Sequence, residues 1–400
     1  MFEELGIRYV GPVQGHSLPS LIEVFSEAKT YDGPVLVHCV TQKGRGYPPA
    51  QANPEKFHGS GPFDPATGEP RRKSGVPSYS QVFGRTMLKV AAADEKVMAI
   101  TAAMPDGTGL GGFAKAYPDR FFDVGIAEQH AVNFSAGLAV NGLKPVVAIY
   151  STFLQRAYDQ VFHDVCLMDL PVVFALDRAG IVPDDGPTHQ GINDIAYLRH
   201  MPNMILLAPA DENELQHMLR SVLSYGHPAA VRFPKSVGLG VPLDEELKIL
   251  PLGRGELVRD GRDLILAYGS MVAPGLAAAR RLAREGVDLA VANARFCKPL
   301  DEELILRFAK PGRTIVTLEE GVLAGGFGSA VRELLDREGC FGVRFLAVGL
   351  PDTTPPVGTR DEIKALFGLD EKGLVRRLRR FFRGAGGRRA ARRGPGGRKR

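Results

Sequence analysis

The sequence Lys144-Pro145-Val146-Val147-Ala148-Ile149-Tyr150 is a continuous apolar run of strand length. A strand with one face in water alternates apolar and polar residues, whereas a continuous run is typical of a parallel strand buried on both faces. Four further runs have this character, at 34–40, 170–176, 263–268 and 314–318. Stretches with helical periodicity, such as 273–285 and 328–336, lie between them. The alternation predicts α/β domains with parallel sheets and right-handed crossover connections.

Glycine and proline divide the chain into segments. Residues 59–77 are rich in both and indicate a linker, and a second break lies around 234–255. We therefore expect a first piece at 1–58 that is too small to be a complete domain. A middle α/β domain at 78–240 and a final α/β domain at 251–370 should follow, which agrees with a length of 400 residues.

The basic residues are concentrated at one end of the chain. Residues 376–400 hold twelve of the 50 Lys and Arg and no acidic residue, so the remaining chain is acidic, with 38 basic against 45 acidic side chains. Such a block cannot bury enough apolar surface to fold. We expect 371–400 to be a basic, disordered tail with no dedicated nucleic-acid partner.

Other composition features exclude several classes of protein. No apolar run approaches the roughly 20 residues of a membrane helix, and the amino terminus lacks a signal-peptide pattern, so we expect a cytoplasmic protein without membrane contact. The four cysteines are far apart in the sequence, which predicts neither a zinc site nor a disulfide framework.

Glu128 lies in the junction Phe121-Phe122-Asp123-Val124-Gly125-Ile126-Ala127-Glu128-Gln129-His130-Ala131. This junction runs from a short strand into a helix that should continue to about Val140. Taken alone, Glu128 would be only a favourable negative charge at the positive end of the helix dipole. The next strand, however, is followed by Tyr-Ser-Thr-Phe-Leu-Gln-Arg-Ala-Tyr-Asp-Gln at 150–160. The two segments together indicate a function for Glu128 that neither indicates alone.

These stretches closely resemble the pyrimidine-binding domain of transketolase-like thiamine diphosphate enzymes, and the most specific likeness is to the deoxyxylulose-phosphate synthase family. The resemblance extends to about residue 370. Its other matching runs are Ala-Ala-Met-Pro-Asp-Gly-Thr-Gly-Leu at 102–110, Asp-Arg-Ala-Gly-Ile-Val at 177–182 and Asp-Gly-Pro-Thr-His-Gln-Gly at 185–191. It implies two parallel-sheet α/β domains, of the pyrimidine-binding and transketolase C-terminal types, preceded by a remnant of the diphosphate-binding domain.

The resemblance implies that Glu128 activates thiamine diphosphate through a hydrogen bond to N1′ of the aminopyrimidine ring. The carboxyl group must share a proton there, which apolar surroundings favour. Phe153 would stack on the same ring, and Tyr47 would contact the cofactor. His58 resembles the histidine that transketolases place near the thiazolium ring, so it is a further catalytic candidate.

The family condenses pyruvate with glyceraldehyde 3-phosphate, releasing CO2 and forming a precursor of isoprenoids, thiamine and pyridoxal. By resemblance, the acceptor phosphate would face Tyr150, Arg178 and Lys235. His189 would donate or accept a proton, and Arg156 and Asp185 would be its neighbours in the substrate site. The family typically reads Arg-Tyr-Pro-Arg-Gly where this chain has Arg-Phe-Pro-Lys-Ser at 232–236. The ammonium group of Lys235 thus replaces a guanidinium group that can form two parallel hydrogen bonds to a phosphate. We therefore expect acceptor binding to depend more on Arg178, or to be weaker.

One element of the family pattern has no counterpart. These enzymes bind Mg²⁺ and the diphosphate through Gly-Asp-Gly and a later Asn, and no Asp-Gly pair in this chain follows a glycine. We therefore expect an amino-terminally truncated synthase that is inactive alone. The metal ligands should lie in the missing segment, so no metal ligand is assigned within the chain. The full-length family forms homodimers.

Two other hypotheses fit parts of the sequence. The C-terminal subunit of a split transketolase, or the β chain of a pyruvate dehydrogenase-type E1, would share the middle and final domains but begin near Ser78. A non-enzymatic binding protein would use the basic tail to reach nucleic acid, with a steep dependence on salt.

Overall fold

The structure, a computed structural model, describes residues 1–391 apart from 55, 59, 70, 72–74 and 184, and describes only the backbone of 384–391. Two compact units are present, residues 1–75 and residues 76–400. The distal part of the expected basic tail, 392–400, lies outside the described residues.

The first unit contains a two-stranded parallel sheet. Strand β1 (Arg8–Gln14) is joined to β2 (Val35–Val40) by helix α1 (Leu18–Ala28), and the short helix α2 (Pro48–Ala52) follows. The sequence predicted a fully buried strand at 34–40, and the strand is indeed parallel, but its residues are half-buried or exposed. One partner strand and one helix of this unit do not supply enough surface to cover both of its faces.

The second unit contains a seven-stranded sheet whose order is β12-β7-β8-β6-β5-β3-β4. Every pairing in it is parallel except that of the edge strand β12 with β7. The strands are β3 (Val97–Thr101), β4 (Phe121–Asp123), β5 (Lys144–Tyr150), β6 (Val173–Asp177), β7 (Ile205–Leu207), β8 (Ala229–Arg232) and β12 (Phe296–Lys298).

The helices of this first part of the second unit alternate with its strands. They are α3 (Tyr79–Ala93), α4 (Gly111–Ala116), α5 (Glu128–Val140), α6 (Ser151–Leu154), α7 (Tyr158–Gln160), α8 (Asp194–Leu198) and α9 (Glu212–Tyr225). Strand β5 shows why the sheet is stable. Val147 and Ile149 pack into one core with α5, whereas Val146 and Ala148 pack into another with α3 and α9. Burial on both faces is what its continuous apolar sequence predicted.

A second sheet of the same unit has five strands in the order β14-β13-β10-β11-β9, all parallel except the pairing of β9 with β11. The strands are β9 (Glu256–Arg259), β10 (Asp263–Ala267), β11 (Leu289–Asn293), β13 (Thr314–Val322) and β14 (Arg344–Leu350). The helices are α10 (Val272–Ala283), α11 (Glu302–Phe308), α12 (Phe327–Arg337), α13 (Arg360–Phe367) and α14 (Glu371–Ala391).

The two sheets of this unit are joined by a strand that follows one sheet in the chain and pairs with the other, and by a buried carboxylate. Strand β12 follows β11 of the five-stranded sheet in the chain, yet it pairs with β7 of the seven-stranded sheet. Glu320 of β13 accepts hydrogen bonds from Ile181 N at 2.9 Å and Ser270 Oγ at 2.7 Å, and it also pairs with Arg360 and Lys364. Burial alone would raise the pKa of Glu320, but the two cations outweigh it and lower this pKa to about 2.

The prediction of a disordered tail from residue 371 is wrong for its first part. Helix α14 begins at Glu371, and Leu374, Val375 and Leu378 are buried in the core beneath α10. Their spacing places them on one face of a helix, so this short apolar stripe is sufficient to hold a helix rich in arginine. In the described part of the chain, no helix combines the length and the apolarity that a bilayer crossing requires.

Replacing Leu378 by alanine tests the docking of α14. Leu378 is fully buried, so Leu378→Ala should lower the free energy of unfolding by roughly 2–5 kcal/mol. Arg376→Ala, on the exposed side of the same helix, should change it by less than about 0.5 kcal/mol. Urea denaturation of both variants measures the difference, and equal, small effects would show that the helix does not stabilise the fold.

Candidate functional site

Most of the residues implicated by the sequence lie beyond the carboxyl ends of adjacent parallel strands. Strands β4, β3, β5 and β6 are neighbours in the sheet, and they end at Asp123, Thr101, Tyr150 and Asp177. Their parallel pairing brings the following loops to one edge, which is where ligands bind in open α/β sheets.

Glu128 is the first residue of α5, and its side chain is buried. The turn that precedes it is braced by Asp123, whose carboxylate accepts hydrogen bonds from Ala103 N at 2.7 Å and Gly125 N at 3.0 Å. Gly125 has a φ of +72°, a left-handed conformation that glycine adopts without strain. The loop conformation thus fixes where the helix begins and where the carboxylate lies.

One carboxylate oxygen of Glu128 forms an ion pair with Arg156. The other has no hydrogen-bond donor among the residues that the structure describes. The guanidinium carbon of Arg156 lies 5.0 Å from the ring centroid of Phe153, while about half of the arginine side chain remains exposed. Glu128 is therefore a buried acid with one oxygen free of protein donors among the described residues and with a half-exposed partner.

An aromatic cluster continues from this ion pair. Phe153 stacks on Tyr150 with ring centroids 5.5 Å apart and an interplanar angle of 18°, and His189 meets Phe153 edge to face at 5.4 Å. The Arg178 guanidinium carbon lies 3.8 Å from the Tyr150 ring centroid. Burial raises the pKa of Tyr150, with Arg178 opposing the effect, so its hydroxyl group remains a hydrogen-bond donor at neutral pH.

Arg178 is held in place by the residue before it. It has a φ of +58°, which is unusual for a residue with a side chain. Asp177 is fully buried and accepts hydrogen bonds from Arg178 N at 2.7 Å and Ser80 Oγ at 2.6 Å, and it lies 3.0 Å from Arg178 Nη1. Burial raises the pKa of Asp177, although Arg178 opposes this. A buried carboxylate thus fixes the direction of the guanidinium group.

Asp177 and Ser80 are site residues that the sequence did not predict. Asp177 carried a usable signal, because it is a carboxylate directly after an apolar strand, at the edge where parallel strands place their ligands. Ser80 carried none, since it is 97 residues away in the chain and meets Asp177 only through the fold.

The loop between β6 and α8 contains Asp185 and His189, whereas Lys235 follows β8. Asp185 pairs with Lys235 at 2.6 Å, and each side chain is about one-third exposed. His189 ends a short 3-10 turn, and the side chain of Gln190 closes the loop by bonding the backbone of Val182 in both directions. A Cβ atom on Gly191 would lie 2.0 Å from the carbonyl oxygen of Arg178, so only glycine fits there.

Tyr47 and His58 belong to the first unit. Tyr47 packs against Phe57 and Phe63, with ring centroids 5.4 and 5.7 Å away. Its hydroxyl group is buried without a hydrogen-bond partner among the described residues, and His58 is exposed. Across the described ranges, no group of three or more His, Cys, Asp or Glu residues is placed to hold a metal ion.

Asp177→Ala tests whether the buried carboxylate holds Arg178. The substitution leaves a largely buried guanidinium group without its carboxylate, which should lower the free energy of unfolding by roughly 3–5 kcal/mol. Asp159→Ala removes an exposed carboxylate from α7 and should change it by less than about 0.5 kcal/mol. Chemical denaturation measures the free energy of unfolding of the two variants. Equal values would contradict the role assigned to Asp177.

Three protein families match this chain. The transketolase pyrimidine-binding domain matches residues 76–238, the transketolase C-terminal domain matches 253–374, and the 1-deoxy-D-xylulose-5-phosphate synthase family matches 1–41.

Curated relatives resemble nearly the whole chain. A 1-deoxy-D-xylulose-5-phosphate synthase 1 from Geobacter sulfurreducens is 56% identical over 388 residues, which are 96% of this chain and 61% of that protein. A 1-deoxy-D-xylulose-5-phosphate synthase from Pelotomaculum thermopropionicum is 57% identical over 383 residues, which are 96% of this chain and 60% of that protein. The chain thus spans about three-fifths of the length of these relatives.

Solved structures show the same architecture. An inactive β4 tetramer of a split-gene transketolase is 30% identical, with a TM-score of 0.68 over 76% of this chain and 98% of that one. A transketolase from Leishmania mexicana is 18% identical, with a TM-score of 0.63 over 77% of this chain and 46% of that one.

Proposed function

We propose that this chain is the part of a 1-deoxy-D-xylulose-5-phosphate synthase that binds the cofactor's aminopyrimidine ring and the acceptor aldehyde. The chain belongs to the transketolase family of thiamine diphosphate-dependent transferases. In the proposed reaction, C2 of pyruvate forms a carbon–carbon bond with the aldehyde carbon of glyceraldehyde 3-phosphate. The pyruvate carboxylate leaves as CO2. The observation that carries the proposal is the continuous cluster from Glu128 through Arg156, Phe153 and Tyr150 to Arg178.

Glu128 at the start of α5 and Phe153 of α6 offer the groups that an aminopyrimidine ring requires. Thiamine diphosphate supplies the electron sink for decarboxylation and bond formation when it is bound. Glu128 offers a buried carboxylate oxygen that is free to share a proton with the ring atom N1′, and Phe153 offers an apolar ring nearby. Arg156, half in solvent, would keep its bond to the other oxygen or withdraw from it as the ring enters.

The other end of the cluster fits a phosphate group. Arg178 is aimed by Asp177 and donates to Gly107 O at 2.5 Å, which leaves other donors of its guanidinium group for an anion. Tyr150 adds a hydroxyl donor, and His189 lies next to Phe153, between the proposed pyrimidine and phosphate positions. Lys235 is already paired with Asp185, so a phosphate group would have to compete with that carboxylate for it.

We further propose Mg²⁺ as the ion that binds the diphosphate, with protein ligands from outside these 400 residues. The absence of Gly-Asp-Gly from the sequence supports this assignment. A homodimer in the cytoplasm, with Tyr47 and His58 contacting cofactor, completes the proposal by analogy with the family.

A split transketolase subunit is the second candidate, favoured by the 30% identity to a split-gene transketolase of which the chain covers 98%. The synthase has stronger support. The curated synthases are 50–57% identical, and residues 1–41 match the synthase family, whereas a split subunit was expected to begin near Ser78.

Binding of glyceraldehyde 3-phosphate tests the acceptor site. Arg178→Ala removes charge-assisted hydrogen bonds, each of which contributes about 1.5–3 kcal/mol, so the dissociation constant should rise at least about tenfold. Arg284→Ala, an exposed arginine at the end of α10, should leave it unchanged. Isothermal titration calorimetry at constant ionic strength provides the measurement, and equal affinities of both variants would rule out the assigned role of Arg178.

A further inference from the structure

The loop after β3, residues 104–110, packs against two of the side chains proposed to bind the acceptor phosphate. Gly107 O accepts a hydrogen bond from Arg178 Nη1 at 2.5 Å. A Cβ atom on Gly107 would lie only 1.9 Å from the hydroxyl oxygen of Tyr150. Since the atoms of a protein interior are already close-packed, a residue with a side chain at 107 would have to displace either the loop or the tyrosine ring.

Helix α3 packs closely against the same loop, which limits how far it can shift. A Cβ atom on Gly109 would lie 2.3 Å from the carbonyl oxygen of Ser80, and one on Gly84 would lie 2.2 Å from the carbonyl oxygen of Gly109. Within the loop, the buried Thr108 donates hydrogen bonds from N and Oγ1 to Met104 O, at 3.0 and 2.7 Å. The tyrosine ring, and not the loop, is therefore the part that a side chain at 107 would move.

Arg178 is held from two elements at once. Asp177, at the end of β6, lies 3.0 Å from Arg178 Nη1, and Gly107 O accepts a hydrogen bond from the same nitrogen. These contacts leave Nη2 and Nε of the guanidinium group without protein partners among the described residues. The guanidinium carbon also lies 3.8 Å from the ring centroid of Tyr150. Gly107 thus contacts both of these proposed phosphate donors.

We propose that Gly107 is a positioning residue of the acceptor site, whose lack of a side chain admits the Tyr150 hydroxyl group and whose carbonyl oxygen orients Arg178 toward the phosphate group. This role in binding rests on the proposed function. A side chain at 107 would push the Tyr150 ring, which Phe153 and Arg178 contact. The displacement would reach both hydrogen-bond donors and weaken binding of the phosphorylated aldehyde.

A double-mutant cycle of Gly107→Ala and Tyr150→Phe tests this role, with glyceraldehyde 3-phosphate titrated calorimetrically into the chain at constant ionic strength. Gly107→Ala should raise the dissociation constant at least about tenfold. In a chain with Tyr150→Phe it should change the constant less than about threefold, because the oxygen that the new Cβ atom meets is then absent. Equal weakening by Gly107→Ala in both backgrounds would overturn the proposal.

Gly112→Ala is the matched control, five residues along the chain. Its Cβ atom would meet only a methyl carbon of Leu88, at an ordinary contact distance of 3.7 Å. It should therefore leave the dissociation constant unchanged. Weakening by Gly112→Ala as large as that by Gly107→Ala would count against a specific role of residue 107.

Tyrosine labelled with carbon-13 at Cζ provides a readout that requires no substrate. The Tyr150 resonance is assigned by its loss in Tyr150→Phe. Gly107→Ala should move this resonance and Gly112→Ala should leave it in place, so an unmoved resonance with Gly107→Ala would refute the positioning role. If the wild-type chain does not bind the aldehyde, the proposed function fails, and the resonance still decides whether Gly107 positions Tyr150.

The double variant decides the outcome if Gly107→Ala alone does not fold. Without the tyrosine hydroxyl group, the chain with Gly107→Ala and Tyr150→Phe should fold as the chain with Tyr150→Phe does, measured by urea denaturation. Recovery of folding in the double variant would support the contact between residue 107 and the hydroxyl group. Failure of the double variant to fold would contradict it.

Discussion

Parallel pairing of β4, β3, β5 and β6 is the constraint on which the site depends. Because the four strands point the same way, the segments after Asp123, Thr101, Tyr150 and Asp177 must all begin at one edge of the sheet. Burial of β5 on both faces fixes its register, since a shift of one residue would exchange the side chains of the two cores. The positions of the site residues therefore follow from the packing of apolar side chains far from the chemistry.

Buried carboxylates then refine these positions. Asp123 shapes the turn before Glu128, Asp177 aims Arg178, and Glu320 connects the loop after β6 with the five-stranded sheet. Each accepts hydrogen bonds from backbone N–H groups, so each fixes a chain conformation as well as a charge. This arrangement leaves Glu128 as a carboxylate with one unused oxygen, which suits a role in binding more than a role in stability.

The sequence predicted the parts of this structure that depend on local pattern. Apolar runs at 144–150, 170–176, 263–268 and 314–318 correspond to buried parallel strands, and the resemblance named residues that the fold brings together around Phe153. Long-range effects were not predictable in this way. The pairing of β12 with β7 and the contact of Ser80 with Asp177 depend on the assembled fold. The burial of three apolar residues of α14 stabilises that helix in spite of its many arginines.

We propose that the Glu128 carboxyl group hydrogen-bonds the N1′ atom of thiamine diphosphate. Nitrogen-15 NMR of cofactor labelled at N1′ tests it directly, because hydrogen bonding or protonation at a ring nitrogen changes its chemical shift strongly. We expect a large shift on binding to the chain, which Glu128→Ala abolishes while Asp159→Ala preserves it. An unchanged N1′ resonance on binding, or the same shift with Glu128→Ala, would contradict the claim.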